Sequence, residues 1–276
     1  MKIFLTGSEG MLGYDIVRVF DNFEMTCPTR HALDITALDD VINAVRESRP
    51  DCIIHAAAYT NVDGAEAEPE AAYKVNGKGT RNLVMAAEEL RVPIVYISTD
   101  YVFDGSKTGQ YDEWDRTSPV NQYGLSKRMG EDFVSSLTNR YYIVRTSWLW
   151  GKNGKNFVDT ISRLLDERES LDVVDDQRGC PTFTYDLAVK LRELIQKGYG
   201  TYHITNSCDC SWHGFASKIA ELRGIRKKIN PVSTDKFPRP AKRPVNSVLG
   251  NTMLRLEGIE PARRWEEALE DYLKIP

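Results

Sequence analysis

The chain has 276 residues, of which 41% are hydrophobic and 28% are charged, and its formal net charge is −4 at pH 7. These proportions are typical of a soluble globular protein, and the acidic balance argues against a nucleic-acid-binding groove. No apolar run approaches the roughly 20 residues that a membrane-spanning helix needs. A strand pattern begins at once, without a signal-peptide pattern before it, so we expect a cytoplasmic protein with no membrane partner.

Five cysteines are scattered along the chain, at positions 27, 52, 180, 208 and 210. An odd number in a chain of this length favours free thiols in a reducing compartment over a disulfide framework. Cys208 and Cys210 are separated by one residue and have no second pair nearby, so we predict no metal site there.

Short apolar runs alternate with helical patterns in the first half of the chain. We predict strands at 3–5, 24–27, 52–58, 94–98 and 142–145. Helices are predicted at 11–20, 37–49, about 69–90, and from the start signal Ser118-Pro119 to about residue 134. Near-continuous apolar strands separated by helices indicate a parallel sheet covered on both faces. The predicted fold is therefore α/β, with a doubly wound, Rossmann-like parallel sheet.

The second half of the chain is less regular. Helices are predicted at 157–165, 186–195, 212–222 and 264–273, and a strand at 201–204 is expected to join the main sheet. Segment 236–244 carries three prolines among basic residues and is predicted to be irregular. We expect a dinucleotide-binding domain formed by residues 1–147 and about 182–206. A smaller C-terminal substrate lobe would comprise about 148–181 and 207–276.

The first strand and the first helix are joined by Gly7-Ser8-Glu9-Gly10-Met11-Leu12-Gly13. Glycines at such a junction let the backbone turn sharply and approach a pyrophosphate, whose charge the helix N-terminus stabilises. Three glycines also occur in plain tight turns, but their position between a strand and a helix favours a dinucleotide site. Cofactor contacts are predicted at Gly7, Gly10, Met11, Leu12 and Gly13.

The end of the second strand usually selects the adenosine ribose of the cofactor. An acidic residue there suits the 2′-hydroxyl of NAD, and a basic residue suits the 2′-phosphate of NADP. Here Arg30 follows the strand, and no carboxylate occurs before Asp34. We therefore predict NADPH, with NADH as the alternative cofactor and a solvated Arg30 as the competing interpretation. Asp34 and Ile35 are expected either to border the adenine or to cap the next helix.

Polar residues leave the fourth strand at its C-terminal end, where open α/β sheets bind ligands. Tyr123 and Lys127 are four residues apart on the helix that follows, so they share one face. A free tyrosine has a pKa of about 10, and an ammonium one turn away is expected to lower that pKa toward the working range. A lone Tyr-x-x-x-Lys is usually structural. Together with the glycine loop, it favours a catalytic site.

The order of the glycine loop, Ser98-Thr99-Asp100 and Tyr123-Gly124-Leu125-Ser126-Lys127 resembles that of the extended short-chain dehydrogenase/reductase family. Within that family, several segments resemble the dTDP-4-dehydrorhamnose reductases, namely 57–66, 98–105, 145–151, 156–158, 176–182 and 242–247. The resemblance covers nearly the whole chain. Trp150 stands where the family more often has tyrosine, and residues 178–180 vary an expected loop, but neither change touches the catalytic set.

The resemblance implies NAD(P)H-dependent reduction of the C4 ketone of dTDP-4-dehydro-L-rhamnose to dTDP-L-rhamnose. It implies that Tyr123 donates a proton, that Thr99 polarises the carbonyl and that Lys127 binds the nicotinamide ribose. Further cofactor contacts are implied at Ala56, Ala57, Ala58, Tyr59 and Ser98. Contacts with the dTDP-sugar are implied at Thr99, Asp100, Tyr101, Trp148, Asn156 and Arg243.

Several alternatives stay open at this point. Trp148 is either a substrate contact or a core residue, and the basic cluster of Arg239, Lys242 and Arg243 either holds a diphosphate or is solvated. Asn76 either packs its helix or contributes to the site. The protein is expected to be a reductase, with two alternatives: a non-catalytic subunit like the relative that controls methionine adenosyltransferase, or an enzyme of another nucleotide sugar. The oligomeric state stays open, with a homodimer as one alternative, and no metal is predicted.

Overall fold

The computed structural model describes residues 1–275, and its central element is a six-stranded parallel sheet. The strands are β1 Lys2–Thr6, β2 Glu24–Thr26, β3 Cys52–His55, β4 Ile94–Thr99, β5 Tyr141–Thr146, β6 Leu149–Trp150, β7 Ser170–Val174, β8 Arg178–Gly179, β9 Thr182–Phe183, β10 Gly200–His203, β11 Asn206–Ser207, β12 Cys210–Ser211, β13 Lys228–Val232 and β14 Ala262–Arg264. The helices are α1 Met11–Val19, α2 Leu38–Ser48, α3 Val62–Ala67, α4 Pro69–Ala72, α5 Thr80–Leu90, α6 Gln122–Leu137, α7 Phe157–Glu167, α8 Thr184–Leu194, α9 Trp212–Leu222, α10 Thr252–Leu256 and α11 Trp265–Lys274. A π-helical turn, Tyr73–Gly79, lies between α4 and α5, and two 3₁₀ turns lie at Asp100–Val102 and Thr234–Lys236.

The strand order of the central sheet creates a crevice at its carboxyl end. The order is β2-β1-β3-β4-β5-β10, so the chain leaves β1 toward one edge and returns to β3 on the other side of β1. The loops that follow β1 and β3 therefore diverge, which is where doubly wound sheets bind ligands. Thr6 pairs with His55 in the register of these two strands, so both strands end at the same level.

Helices cover both faces of the sheet. On one face, Leu12 and Ile16 of α1 and Leu191 of α8 join the apolar cluster that contains Ile3 and Val144. On the other face, α2, α5 and α6 contribute to a second apolar cluster. Because apolar side chains on both sides of each strand are buried, the strands read as continuous apolar runs. The predicted doubly wound parallel sheet, including β10 as a member, is confirmed.

The C-terminal part of the chain builds a third apolar cluster. Trp150 and Phe215 are fully buried in it, and Trp265 lies against them. This cluster is supplied by β6, β7, α7, α9 and α11, and β13, which pairs in parallel with β7, packs against it through Ile229. None of the helices in residues 1–275 has the length and apolarity that crossing a membrane requires.

The predicted start of α6 at Ser118-Pro119 is wrong. The helix begins at Gln122, because the Asn121 side chain accepts a hydrogen bond from the Gly124 backbone N–H at 2.8 Å and caps the first turn. The backbone N–H of Ser118 donates instead to the Val102 carbonyl at 2.8 Å. Residue 118 therefore lies in the loop that returns from β4, and the shorter α6 still carries both Tyr123 and Lys127.

The predicted helix at 69–90 is present, but it widens into the π-helical turn Tyr73–Gly79. Two glycines allow close packing there. A Cβ on Gly77 would lie 2.6 Å from the Met129 sulfur, and a Cβ on Gly79 would lie 2.8 Å from Ile35 Cδ1. Hydrophobic periodicity does not distinguish a π-helical turn from an α-helical one, and such turns are frequent at functional sites.

A buried ion pair ties α6 to the sheet. The side chains of Glu131 and Arg145 are only 4% and 6% exposed. Arg145 donates from Nε to Glu131 Oε1 at 2.9 Å and from Nη2 to Oε2 at 2.8 Å, and Ser98 Oγ donates to the same Oε1 at 2.6 Å. A bidentate pair fixes direction as well as distance, so α6 has one orientation over β4 and β5.

Replacing Glu131 with Gln should destabilise the fold strongly, because it leaves the Arg145 guanidinium buried without a counter-charge. We expect the free energy of unfolding in urea to fall by about 3 kcal/mol. The double variant Glu131→Gln/Arg145→Met should lose less than the sum of the two single variants. Glu167→Gln, which breaks an exposed pair with Arg163, is the control and should cost under about 1 kcal/mol. Equal small losses at positions 131 and 167 would contradict this account.

Candidate active site

The crevice at the carboxyl end of the sheet is a cleft of about 1180 Å³. That volume exceeds the roughly 300–1,000 Å³ of an ordinary small-ligand pocket, so it has room for two ligands side by side. Most residues predicted from the sequence line it: Gly7, Gly10, Met11, Leu12, Gly13, Arg30, Asp34, Ile35, Ala56, Ala57, Ala58, Tyr59, Ser98, Thr99, Asp100, Tyr101, Tyr123, Lys127 and Trp148.

The glycine loop has the shape that a dinucleotide pyrophosphate requires. Gly7 has φ +79°, and a Cβ on it would lie 2.6 Å from the Ala57 backbone nitrogen. A Cβ on Gly13 would lie 2.0 Å from the Gly7 carbonyl oxygen. Gly10 provides no side-chain cap for α1, and the first turn of α1 contains no acidic residue. The N–H groups of that turn are therefore free to bind an anion, and the residues present fit the cofactor.

Asn76 connects the elements on either side of the cleft. Its Oδ1 accepts from the Tyr59 backbone N–H at 2.8 Å, and its Nδ2 donates to the Tyr59 carbonyl at 3.0 Å and to Ser126 Oγ at 2.9 Å. Asn76 therefore holds the loop after β3 against α6. The sequence left open whether Asn76 packs its helix or contributes to the site. Asn76 does not line the cleft, and it positions Tyr59, which does.

His55 lies beneath the cleft and is neutral. Burial lowers its pKa to about 3, and the nearby Lys127 charge acts in the same direction. The Thr80 hydroxyl donates to the Asn76 carbonyl at 2.6 Å, so it accepts from His55 Nε2–H at 3.0 Å. Nδ1 then accepts from the Thr6 hydroxyl at 2.8 Å. This chain of hydrogen bonds links β1, β3 and the π-helical turn, and local sequence patterns give no sign of it.

Thr99, Tyr123 and Lys127 meet in the cleft. Thr99 ends β4, and its hydroxyl lies close enough to the Tyr123 phenol to influence its pKa, while it donates to Asp100 Oδ1 at 3.0 Å. The Lys127 ammonium donates to the Ile97 carbonyl at 2.7 Å and lies 4.2 Å from the centre of the Tyr96 ring.

The predicted lowering of the Tyr123 pKa is wrong. Burial raises the pKa of Tyr123, and the nearby Asp100 carboxylate raises it further, while the Thr99 hydrogen bond only partly opposes this. Lys127 does not offset the rise, because its ammonium is directed at the Ile97 carbonyl. Burial also lowers the pKa of Lys127 to about 7, against the opposing charge of Glu131. Desolvation outweighs attraction between charges at this site.

Asp100 is a buried carboxyl group at the cleft wall. It is 2% exposed, and burial raises its pKa to about 6 despite hydrogen bonds from Ser247 and Thr99. Its Oδ2 has no hydrogen-bond partner among residues 1–275. A buried oxygen without a partner is costly, and this one belongs to a residue of the cleft lining.

Trp148 lines the cleft with its indole ring supported from behind. The ring stacks on Trp212 at a centroid distance of 3.5 Å and an interplanar angle of 4°. A Cβ on Gly179 would lie 2.4 Å from Trp148 Cε2, so residue 179 lies directly against the ring. Trp148 also has φ +47°, which is strained for a tryptophan. The arrangement fixes a flat apolar surface at the cleft.

Two predicted substrate contacts do not line the cleft. Asn156 caps α7 by accepting from the Asp159 backbone N–H at 2.9 Å, and it donates to the Gly151 carbonyl at 2.9 Å. Arg243 pairs with Asp63 of α3, which supplies the carboxylate that the basic cluster lacks in its own stretch of sequence. Arg243 also hydrogen-bonds the Tyr101 hydroxyl, which lines the cleft. In this structure both side chains are engaged by neighbouring residues, and direct substrate contact by Asn156 and Arg243 stays a prediction.

Further cleft residues escaped the sequence analysis. They include Ser8, Glu9, Lys74, Thr146, Ser147 and Lys155. Ser8 and Glu9 lie inside the glycine loop and Ser147 follows β5, so strand-end position was a usable signal for these three. Lys74 and Lys155 carried no such signal.

Comparison with known proteins places these features in context. The family described as the RmlD substrate binding domain matches residues 1–275. The dTDP-4-dehydrorhamnose reductase of Burkholderia thailandensis is 38% identical over 92% of this chain and 92% of its own length. The dTDP-4-keto-6-deoxy-D-glucose reductase of Streptomyces niveus is 40% identical over 96% and 94%. The crystal structure of dTDP-4-dehydrorhamnose reductase from Bacillus anthracis in complex with NADP has a TM-score of 0.96 and 44% identity, covering 99% of this chain and 98% of that one.

The lowered pKa of Lys127 should be visible in the stability of the protein. Between about pH 7 and the ordinary lysine pKa of about 10.4, the unfolded chain binds a proton that the folded protein lacks. The free energy of unfolding should therefore rise with pH in this window, by up to about 1.4 kcal/mol per pH unit. In urea unfolding, the free energy of unfolding of the wild type should rise with pH relative to that of Lys127→Met. A difference independent of pH would contradict the shift, and exposed Lys78→Met is the control.

Proposed function

The chain belongs to the RmlD substrate binding domain family, and from this premise we propose that it is an NADPH-dependent reductase of a dTDP-4-keto sugar. The substrate we propose is dTDP-4-dehydro-L-rhamnose, whose C4 ketone becomes the alcohol of dTDP-L-rhamnose. The observation that carries the proposal is the meeting of the Thr99 hydroxyl and the Tyr123 phenol in the cleft that contains the glycine loop. The named activity of the Burkholderia thailandensis relative and the NADP-bound Bacillus anthracis structure support it.

The site residues divide the work of a ketone reduction. A bound nicotinamide supplies the hydride. Tyr123 holds the proton that the developing alkoxide needs, and burial keeps its phenol protonated. Thr99 adds a hydroxyl that hydrogen-bonds the same oxygen and stabilises its charge. Asp100 Oδ2 and the Trp148 ring then hold the sugar, one by a hydrogen bond and one by apolar contact.

Lys127 serves the cofactor more than the phenol in this proposal. Its ammonium is buried and bound to the Ile97 carbonyl, one turn from Tyr123 on α6. By the resemblance it binds the nicotinamide ribose. A bound ribose would offer its hydroxyl groups as additional acceptors, which favours the charged form of the lysine.

Three coarser expectations complete the proposal. We propose a dinucleotide-binding domain of residues 1–147 and about 182–206 and a substrate lobe of the remainder, which the separate apolar cluster around Trp150 supports. We propose a cytoplasmic protein, which is supported by five cysteines that are all free. A homodimer remains a prediction from the resemblance.

Two other functions compete with this one. Thr99, Tyr123 and Lys127 in one cleft favour an enzyme over a regulatory subunit, which needs no proton donor. The second competing function is reduction of a different keto sugar. The relative from Streptomyces niveus supports it, because that protein is named as a dTDP-4-keto-6-deoxy-D-glucose reductase. Incubation with NADPH and each of the two dTDP-sugars, with the product identified by NMR, separates these functions. We expect dTDP-L-rhamnose, and no turnover of either sugar would refute a reductase of this class.

Tyr123→Phe should lower kcat by roughly a hundredfold or more, because it removes the proton donor. The affinity for NADPH should change by less than about threefold, since the ring and its packing are retained. Stopped-flow turnover and a fluorescence titration measure the two quantities separately. Tyr14→Phe, at an exposed tyrosine of α1, is the matched control. A kcat like that of the wild type in Tyr123→Phe would eliminate Tyr123 as the proton donor.

Arg30→Ala should discriminate between the two cofactors. If the guanidinium pairs with the 2′-phosphate, its loss should raise the KM for NADPH by about tenfold or more and leave the KM for NADH nearly unchanged. Initial rates with each cofactor test this. Arg116→Ala removes an exposed arginine outside the cleft lining and serves as the control. Equal effects of Arg30→Ala on both cofactors would assign Arg30 to the solvent.

A further inference from the structure

A short segment from the C-terminal part of the chain lies across the glycine loop. Residues 151–156, Gly-Lys-Asn-Gly-Lys-Asn, connect β6 to α7, and we call them the crossing segment. Asn153 Nδ2 donates to the Glu9 carbonyl at 2.8 Å, although the two residues are 144 positions apart. A Cβ on Gly154 would lie 2.5 Å from Met11 Cγ. Two successive residues of the crossing segment therefore touch the loop that cradles the cofactor.

The crossing segment is anchored at both ends. A Cβ on Gly151 would lie 1.9 Å from Thr184 Oγ1, so the segment begins in close contact with α8. Asn156 donates to the Gly151 carbonyl and caps α7, which closes the segment on itself. Lys152 donates to the Ile275 carbonyl at 3.2 Å and so is directed at the chain's C-terminal end. The contacts of Gly151 and Asn156 fix the backbone position of Lys155 between them.

Lys155 brings a positive charge to the glycine loop. It is exposed and lines the cleft, and it directly follows the residue that packs against Met11. The loop itself, residues 7–13, contains no lysine or arginine and carries the acidic Glu9. The cleft lining contains three other cations. Lys127 donates to the Ile97 carbonyl, the charge of Lys74 contributes to the lowered pKa of Asp34, and Arg30 lies after β2. Any cation that assists the N–H groups of α1 in binding a diphosphate must therefore come from outside the loop.

We propose that Lys155 binds the diphosphate of the dinucleotide cofactor and that the crossing segment closes over that group. The side chain of a lysine is long enough to reach from the residue after Gly154 to an anion on the first turn of α1, and an ammonium–phosphate contact is charge-assisted. This inference rests on the proposed function only for the identity of the cofactor. Since NADPH and NADH share the diphosphate, Lys155 contributes equally to both, in contrast to Arg30.

Direct binding to the full chain, without any sugar, tests this role. Nicotinamide fluorescence titrations should show Lys155→Met weakening NADPH and NADH alike, by about tenfold or more. Lys155→Arg keeps the charge and should stay within about threefold of the wild type. Lys152→Met removes the same charge from the same segment, but its ammonium is directed at residue 275, so affinity should be unchanged. Circular dichroism and thermal unfolding confirm that each variant is folded.

Asn153→Gly tests the closure separately. Asn153 has φ +63°, which glycine adopts without strain, so the substitution removes the hydrogen bond to Glu9 and retains the backbone. We expect about three- to tenfold weaker binding of both cofactors and faster release of NADPH in stopped-flow measurements.

Two results would overturn the inference and leave the proposed function intact: unchanged affinity for both cofactors in Lys155→Met, or a loss restricted to NADPH. The second result would place Lys155 at the 2′-phosphate. Failure of the wild type to bind either cofactor would refute the proposed function together with the inference. Normal cofactor binding without reduction of a dTDP-sugar would refute the proposed function alone.

Discussion

The bidentate pair between Glu131 and Arg145 is the contact on which the geometry of the site depends. It joins the middle of α6 to β5, and Ser98 at the end of β4 adds a third hydrogen bond to the same carboxylate. Glu131 is one turn beyond Lys127 and two turns beyond Tyr123, so fixing its direction fixes theirs. Glu131 also provides the charge that opposes the desolvation of Lys127. One buried carboxylate thus positions the phenol and keeps a neighbouring lysine partly charged. Such an arrangement tolerates removal of both charges better than removal of one.

Burial, more than attraction between charges, determines the protonation of Tyr123 and Lys127, the proposed catalytic groups. An ammonium beside an exposed tyrosine would lower the pKa of the tyrosine and favour the phenolate. Tyr123 is buried, however, and remains a phenol. Burial lowers the pKa of Lys127 to about 7. In the proposed reduction the proton donor must hold a proton at neutral pH, and the burial of Tyr123 meets that condition.

Local spacing made much of the fold and the cofactor side of the cleft predictable. The strands are buried on both faces, so they appear in the sequence as continuous apolar runs. Gly7 allows its backbone to lie close to Ala57, and the residue type alone indicates such a position in the sequence. Contacts between distant parts of the chain could not be predicted in this way. Arg243, for example, pairs with Asp63, which lies 180 positions away in the sequence. The prediction of a lowered Tyr123 pKa was wrong because desolvation is a property of the assembled cleft, which no local sequence pattern encodes.

The cleft is completed by elements from both halves of the chain. The loops after β1, β3 and β4 supply the glycine loop, Tyr59 and Thr99, while Trp148 and the crossing segment come from beyond β5. Asn153 hydrogen-bonds the Glu9 carbonyl of the glycine loop, and the Trp148 ring stacks on Trp212. Residues that follow β5 would therefore contact one side of the cofactor and one side of the sugar. In the proposed arrangement, a dinucleotide would be held between the glycine loop and the crossing segment, and the sugar would meet Asp100 and Trp148 beside it. Contacts between the two halves of the chain therefore shape both parts of the proposed site.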